Sequence, residues 1–557
     1  MTISSRFVLL SLTVLSGASA FGVSSSHAAT SDSEVLELRR EMAEMRREMA
    51  IMRTELHKPA PAPRGHAVRT QRPGVAETPV GVPNYSGSPE SGIAFNQAQP
   101  SSYHVTGAGR PVSDRGIVSS WEDFQKASSD TEVVRVGGMK IGFPNGRPTI
   151  QSSDGKYAFS IGLAFHEDFG GFLTDAPRGS EQKGKFNSFT SNARRLRVPL
   201  TFRYKDWVAN VTPDFGASNN DGVDGLYEAN LNYAGLKNTI LTVGYFQPRV
   251  TEEDSESSND FEMMERPGIT DIVRSISAGD ARFSVGALHY EKRWWIAAYF
   301  TGQQFGARNS TGYYGGDGNV GDSQTGGTFR AAGRPVATKD WDLHLGVSAV
   351  AAFKPSDGTN GRTFKLSQRP EVNLGEDTLL STGTMTNVAN IWAAGPELGL
   401  RWKNLVLKSE YYHIGVSRSK QLGGAPMSSL NFQGWYAAAN YTLFGTPRAY
   451  NYKEGAFAAP GVKEGEEFNP ATGHWGSLEL SGRYSVADLN SRPDSVSGVR
   501  GGQQTVWSGG LNWYPNRHFR VMLDFNHFIV SRNSNDGTVN IYGRNGNSLA
   551  ARVQAAF

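Results

Sequence analysis

The chain has 557 residues, 64 of them glycine and 60 aromatic, with no cysteine and with 56 basic against 53 acidic side chains. Lack of cysteine excludes disulfide scaffolds, thiolate metal centres and cysteine nucleophiles, and so even a charge balance excludes a strongly basic nucleic-acid binder. Past the N-terminus no apolar run approaches the ~20 residues a membrane helix needs, and mean hydropathy is −0.43, which excludes a helical membrane protein.

Residues 1–29 predict a secretory signal. Arg6 supplies the positive start, Phe7 to Leu15 the apolar core and Ala18-Ser19-Ala20 a cleavage site, with a second at Ala28 or Ala29. The apolar core is too short to span a bilayer, so cleavage after export is expected rather than anchoring. Next, Val35, Leu38, Met42, Met45, Met49, Met52 and Leu56 alternate three- and four-residue spacings. That is the a/d seam of a coiled coil, predicted over 33–57. Arg39, Arg46 and Arg53 fall at e, and Glu41, Glu48 and Glu55 at g. In a parallel assembly each g Glu meets an e Arg of the neighbour, whereas an antiparallel one would set like charges together. The pattern therefore predicts parallel self-association, although a methionine-rich seam does not set the number of helices. A lone, salt-bridged helix is the alternative, and ~20 residues alone in water would be marginal. From Lys58 the chain turns to Pro, Gly and Ser, predicting a linker over 58–135.

From Tyr157 the pattern has period two. Tyr157, Phe159, Ile161, Leu163 and Phe165 alternate with small residues, and Leu196, Val198, Leu200, Phe202 and Tyr204 alternate with Arg195, Arg197, Thr201 and Arg203. Such segments recur near 157–166, 195–204, 207–216, 226–236, 239–247, 283–290, 293–301, 341–353, 363–372, 389–402, 404–416, 432–444, 475–486, 505–514, 519–530 and 547–557. Each is ~10 residues long, with aromatics near its ends, as in transmembrane barrel strands. Short turns alternate with the long connections 167–194, 248–282, 302–340 and 531–546. The predicted fold is all-β: a sixteen-stranded antiparallel transmembrane β-barrel over 136–557, with an N-terminal coiled-coil helix and both chain ends in the periplasm. Connection 445–474 is too long for its periplasmic side, and the sequence offers no physical reason for it.

If the apolar face meets lipid, the other face lines a lumen. Its basic residues are then Arg195, Arg197, Arg203, Lys365, Arg369, Arg401, Lys408, Arg483, Arg520 and Arg552, against the acids Asp214, Glu228, Glu397, Glu410, Glu479 and Asp524. Arginine and lysine rings favour anions in pores, and arginine matches phosphate oxygens bidentately. Any aqueous lumen also carries mixed charge, and a one-residue slip would invert a strand's contribution. Connection 248–282 carries Glu252, Glu253, Asp254, Glu256, Asp260, Glu262 and Glu265, opposed by Arg249, Arg266, Arg274 and Arg282. Folded inward, it would set the field of a constriction; left outside, it is an exposed polar loop. Candidate anion-binding residues are thus Arg195, Arg197, Arg203, Arg249, Arg266, Arg369, Arg401 and Arg483.

Several stretches then fall in order. Gly434-Trp435-Tyr436 precedes Tyr441-Thr442-Leu443-Phe444-Gly445-Thr446-Pro447-Arg448-Ala449-Tyr450, while Gly244 to Pro248 precedes Met264-Glu265-Arg266. Arg369-Pro370-Glu371, Asn512-Trp513-Tyr514 and Arg552 to Phe557 complete the set. From about Val136 onward the chain resembles the bacterial porin O/P family, the phosphate-selective porins of the outer membrane. That resemblance implies a trimeric sixteen-stranded barrel whose third loop folds inward and whose arginines guide phosphate. It places Arg266 in the constriction loop, and Arg194, Arg195 and Arg197 on an arginine-rich strand. The terminal Phe557 is similar to an outer-membrane assembly signal. Two departures are Phe-Gly-Thr-Pro at 444–447, where the family has Thr-Gly-Glu, and the acidic run Glu252–Glu256, near where phosphate-specific members place a lysine.

The expected function is a passive outer-membrane channel for small solutes with anion or phosphate preference. The alternative is a general or cation-tolerant pore that also tethers the membrane to the cell wall through its coiled coil and linker, with peptidoglycan as a partner. Expected partners are the chain itself as a homotrimer, outer-membrane lipid and small anions, with no nucleic acid, cofactor or metal. Neither a G-x-S-x-G elbow nor an H-E-x-x-H pair occurs, so no enzyme activity is expected.

Overall fold

Period-two alternation becomes one continuous antiparallel sheet. The computed structural model describes residues 133–557 apart from 137, 144–146, 178–185, 217–224, 280, 307–321, 359–360, 376–377, 420–426 and 536–539, together with Val118, Ser120 and Trp121. The predicted signal (1–29), the predicted coiled coil (33–57) and nearly all of the predicted linker lie outside the described residues.

The chain enters through a short meander, β1 (Val133–Val136), β2 (Met139–Gly142), β3 (Thr149–Ser152) and β4 (Tyr157–Ile161). Next come β5 (Ala164–Pro177), β6 (Thr190–Arg197), β7 (Leu200–Tyr204), β8 (Trp207–Pro213), β9 (Leu226–Leu236) and β10 (Thr239–Phe246). Two helices, α1 (Glu252–Ser255) and α2 (Gly268–Ser277), precede β11 (Arg282–Tyr290), β12 (Trp294–Gln304), β13 (Thr325–Ala337) and β14 (Trp341–Lys354). Two small ladders follow, β15 (Asp357–Gly358) with β16 (Gly361–Arg362), and β17 (Ser367–Gln368) with β18 (Leu380–Ser381). The sheet resumes with β19 (Val388–Trp402), β20 (Leu405–Arg418) and β21 (Leu430–Phe444). After a hairpin of β22 (Ala449–Asn451) and β23 (Ala456–Ala458) come β24 (Ser477–Ser491), β25 (Val499–Tyr514) and β26 (Phe519–Ser531). A hairpin of β27 (Asn533–Asn535) and β28 (Asn540–Tyr542) leads to β29 (Arg544–Ala556). β4 and β5 pair in turn with β7 and β6, the later main strands pair with the next main strand along the chain, and β29 pairs with β26 on one edge and with β5 on the other, from Arg544↔Pro177 to Ala556↔Ala164.

Side chains sort cleanly by face. Along β21, Leu430, Phe432, Tyr436, Ala438 and Asn440 are buried while Trp435 and Tyr441 are exposed. On the exposed face aromatic pairs cluster beside the short turns: Tyr157 with Tyr204, Trp207 with Tyr233, and Trp341 stacked on Trp402. Amphipathic rings at one rim of an apolar band are the arrangement found at a membrane interface. Lys205, Asn238 and Lys403 take φ near +51°, +52° and +51° in those turns.

Two strand expectations are corrected. Residues 363–372 form no main strand; Ser367–Gln368 pairs with Leu380–Ser381, and Phe364 bridges to Met385. Conversely β13 lies inside the stretch expected to be loop 302–340, because Gly326, Gly327, Arg330, Arg334 and Pro335 leave Phe329 and Val336 as its only large apolar side chains. Lys365 is accordingly exposed on a connection rather than on the inner face.

Candidate functional site

Two connections fold onto the face opposite the exposed aromatics, which we call the inner face. The first runs from Val250 to Gly279, and among its described residues only Glu265, Asp271 and Ser275 escape burial. Helix α2 carries Ile269, Ile272, Val273 and Ile276 at helical spacing, so one stripe is apolar. That stripe packs against Val350, Ile391, Tyr412, Ile414, Phe432 and their neighbours. Its first backbone N–H, at Gly268, donates to Glu371 Oε1 at 2.6 Å, a carboxylate placed where the helix dipole favours negative charge. Helix α1 is capped by Thr251, whose hydroxyl accepts from the Asp254 N–H at 2.8 Å. Close approach needs small residues opposite: a Cβ on Gly434 would lie 2.8 Å from the Ile269 side chain.

The second insertion accounts for the long connection at 445–474. Residues 446–462 turn inward, and Tyr450 and Phe457 bury against Val406. The two insertions meet where the Phe457 N–H donates to Glu252 Oε1 at 3.0 Å.

Charge pairs lock the insertions to the strands. Lys408 on β20 points its ammonium among four carboxylates, Glu253 and Glu256 at 2.8 Å, Glu252 at 3.3 Å and Glu262 at 3.5 Å. Oxygens of Glu252, Glu253 and Glu256 lie within 4.8 Å of one another, a spacing one cation can bridge, and Lys408 supplies that cation. Burial pushes the Glu256 carboxyl well above the usual range; Lys408 opposes this, while Glu252 and Glu253 add to it. Beside them Glu410 accepts the Glu252 and Glu253 N–H groups and the hydroxyls of Tyr412 and Tyr436. Arg330 forks onto Glu397 and donates to Ser255 Oγ and to the Glu454 and Gly455 carbonyls, so one side chain ties both insertions to β13. Arg448 joins Glu479 at 2.6 Å and the Asp260 carbonyl at 3.1 Å. Arg552 bridges Asp168 and the Met264 carbonyl. Burial alone would raise the Glu265 carboxyl, yet Arg194, Arg552 and Arg195 hold it down at about 2.

The structure brings the predicted arginines to this assembly in different roles. Arg195 contacts His166 Nδ1 at 3.2 Å. Arg197 pairs with Asp214 at 2.8 Å and lies over the Tyr227 ring. Arg249 pairs with Glu454. Arg266 pairs with Asp254 at 3.1 Å and covers Phe261. Arg401 pairs with Asp342, and Arg483 with Glu371. Arg203 sits apart, donating to the Lys205 carbonyl in a short turn. Arg369 lies on a connection and lines a cavity with Arg194, Arg274, Glu265, Asp271 and Glu371. Arg194 is buried beside Arg195 because the ladder skips it: His166 pairs with Arg195 and Glu167 with Ala193, a bulge that turns two successive side chains the same way. Sequence reasoning missed Arg330 and His344, which share Glu397. Arg448 was visible only as part of a family-like stretch.

An oily outer face, an aromatic rim and a polar inner face narrowed by clamped insertions define a membrane β-protein of the porin class. The description "phosphate-selective porin O and P" matches residues 159–557. The chain belongs to that family and is an outer-membrane porin. Among solved structures it is similar to the outer membrane channel DcaP of Acinetobacter baumannii, at 10% identity and TM-score 0.39, covering 73% of this chain and 99% of that one. It is also similar to an anion-selective porin from Comamonas acidovorans, at 9% identity and TM-score 0.39, covering 72% and 100%. OmpT of Vibrio cholerae in its trimer form matches at 9% identity and TM-score 0.39, covering 72% and 99%. No curated protein matches the chain.

Proposed function

We propose that the chain forms a closed sixteen-stranded barrel and acts as a passive channel for small solutes, with anion or phosphate preference set mainly at its external mouth. The observation that carries this reading is the Val250–Gly279 segment, held on the inner face by side chains of many strands. Such clamping narrows a pore at a fixed place. Pairing of β29 with β5 supports closure. Arg194, Arg274 and Arg369 offer the mouth an attraction for anions, while Glu265, Asp271 and Glu371 beside them keep it modest. Most predicted arginines act as clamps, and their charges are matched by carboxylates. On this reading the coiled coil holds a homotrimer in the periplasm.

The second reading, a general or cation-tolerant pore that also tethers the membrane to the cell wall, draws support from the four carboxylates around Lys408. Planar-bilayer reversal potentials in a salt gradient separate the two. Anion-biased reversal that falls in Arg369→Ala supports the first. A cation bias assigns the field to the acidic segment, and an absence of conductance removes both pore readings.

A further inference from the structure

The inserted segments fill only part of the inner face. Along β8 to β12 a separate opening remains, lined on β10 by Ile240, Thr242, Phe246 and Gln247. These positions run from one end of the strand to just past the other, spanning roughly 20 Å of it at ~3.3 Å per residue. One wall is a ladder of neutral amides and hydroxyls. Asn210 and Asn232 both donate to Asn230 Oδ1, at 3.2 and 2.6 Å, Asn230 donates to Glu228, and Thr242 donates to Asn232. Next to it along the same sheet are aromatic rings, with Phe246 set edge-on to Tyr299 and with Tyr290 nearby. Charges here are matched. Arg249 pairs with Glu454, Lys453 lies over the Tyr290 ring, and Glu228 takes hydrogen bonds from Thr212 and Asn230.

We infer that this sector is a binding path for neutral polyhydroxylated solutes of monosaccharide size, distinct from the charged cavity that holds Arg194, Arg274 and Arg369. A sugar ring presents apolar C–H faces and a belt of hydroxyls. The former suit aromatic rings, and the latter exchange hydrogen bonds with side-chain amides that both donate and accept. A bare anion would find matched charge and ring faces carrying partial negative charge, and would gain little. Val118 also lines this cavity, and the Trp121 N–H donates to Asp206 in the short turn before β8 at 2.6 Å. Chain preceding the sheet thus borders the end of the path that carries the short turns.

The inference rests on the channel reading, so the test uses full-length protein conducting ions in planar bilayers. Glucose added to one side is compared with a polyethylene glycol of equal hydrodynamic radius and with inorganic phosphate. Saturable partial block by glucose, absent with the polymer and not competed by phosphate, is the expected result. Asn230→Leu and Tyr290→Leu should each weaken that block about tenfold, the scale of one lost buried polar or stacking contact. Thr242→Val, which keeps the shape, gives a further variant should either of those misassemble. If ions conduct but glucose slows them only as the polymer does, the inference falls and the channel reading stands. If phosphate displaces glucose, the two solutes share one site and the separate path is refuted. If no ions pass, the channel reading itself fails and this inference with it.

Discussion

Replacing Lys408 with methionine should release the acidic insertion while leaving the strands paired. The ammonium lies 2.8–3.5 Å from four carboxylates, and all five side chains are almost fully buried. At an effective dielectric near 20, each attraction is about 5 kcal/mol before desolvation is counted. Desolvation cancels most of this, and removing one partner from a buried ion pair costs about 3–5 kcal/mol. The loss falls on the insertion, because backbone ladders hold β20 to β19 and β21. Burial already raises the Glu253 and Glu256 carboxyls with Lys408 present, and without its opposing charge they should rise further. A folded-state pKa above the unfolded one gives stability that is lost as pH rises. K408M should therefore hold its insertion better at about pH 5 than at about pH 8. Limited proteolysis in detergent would show new cleavage within 250–279, together with larger single-channel conductance and a shift toward cations. Wild-type cleavage and conductance in K408M at neutral pH would refute the argument that this charge holds the segment.

Glu265 gives the opposite pH sign: its carboxyl is held at about 2 against an ordinary 4.5, worth about 3 kcal/mol at ~1.4 kcal/mol per unit. That contribution is complete above about pH 4.5 and lost as pH falls toward 2, so acid should expose the insertion to an acid-active protease. Glu265→Gln should lack that window, and a flat wild-type profile across it would contradict the assignment. Gly434→Val should displace α2, since even its Cβ would lie 2.6 Å from the Val486 carbonyl oxygen and 2.8 Å from Ile269. Overpacking of this kind costs about 1–3 kcal/mol and should raise conductance, so an unchanged value would place α2 away from the narrowing.

Strands whose large apolar residues alternate were legible from sequence, because period two survives wherever one face meets an apolar medium. β13 was not, since its inward arginines are matched by carboxylates from other strands and its outward face is mostly small. Face parity also correctly set Arg401, Lys408 and Arg483 on one side. It could not say what they meet, because their partners come from connections and strands distant in sequence. The bulge at Arg194 shows the same limit, since a single skipped ladder position defeats parity. Connection 445–474 was too long for a turn, and only folding shows why: its aromatic and acidic residues serve the inner face.

The joint between β29 and β5 bears on the order of assembly. Ala164 is among the first sheet residues to leave the ribosome and Ala556 among the last, yet they face each other across one ladder. Contacts so distant in sequence make folding slow, because chain closure must precede its reward. On the proposed barrel this joint shuts the wall against whose inner face both insertions lie. Arg552, on the closing strand itself, grips the Met264 carbonyl and Asp168 on β5. One side chain of the final strand thus ties the first insertion to the first long strand.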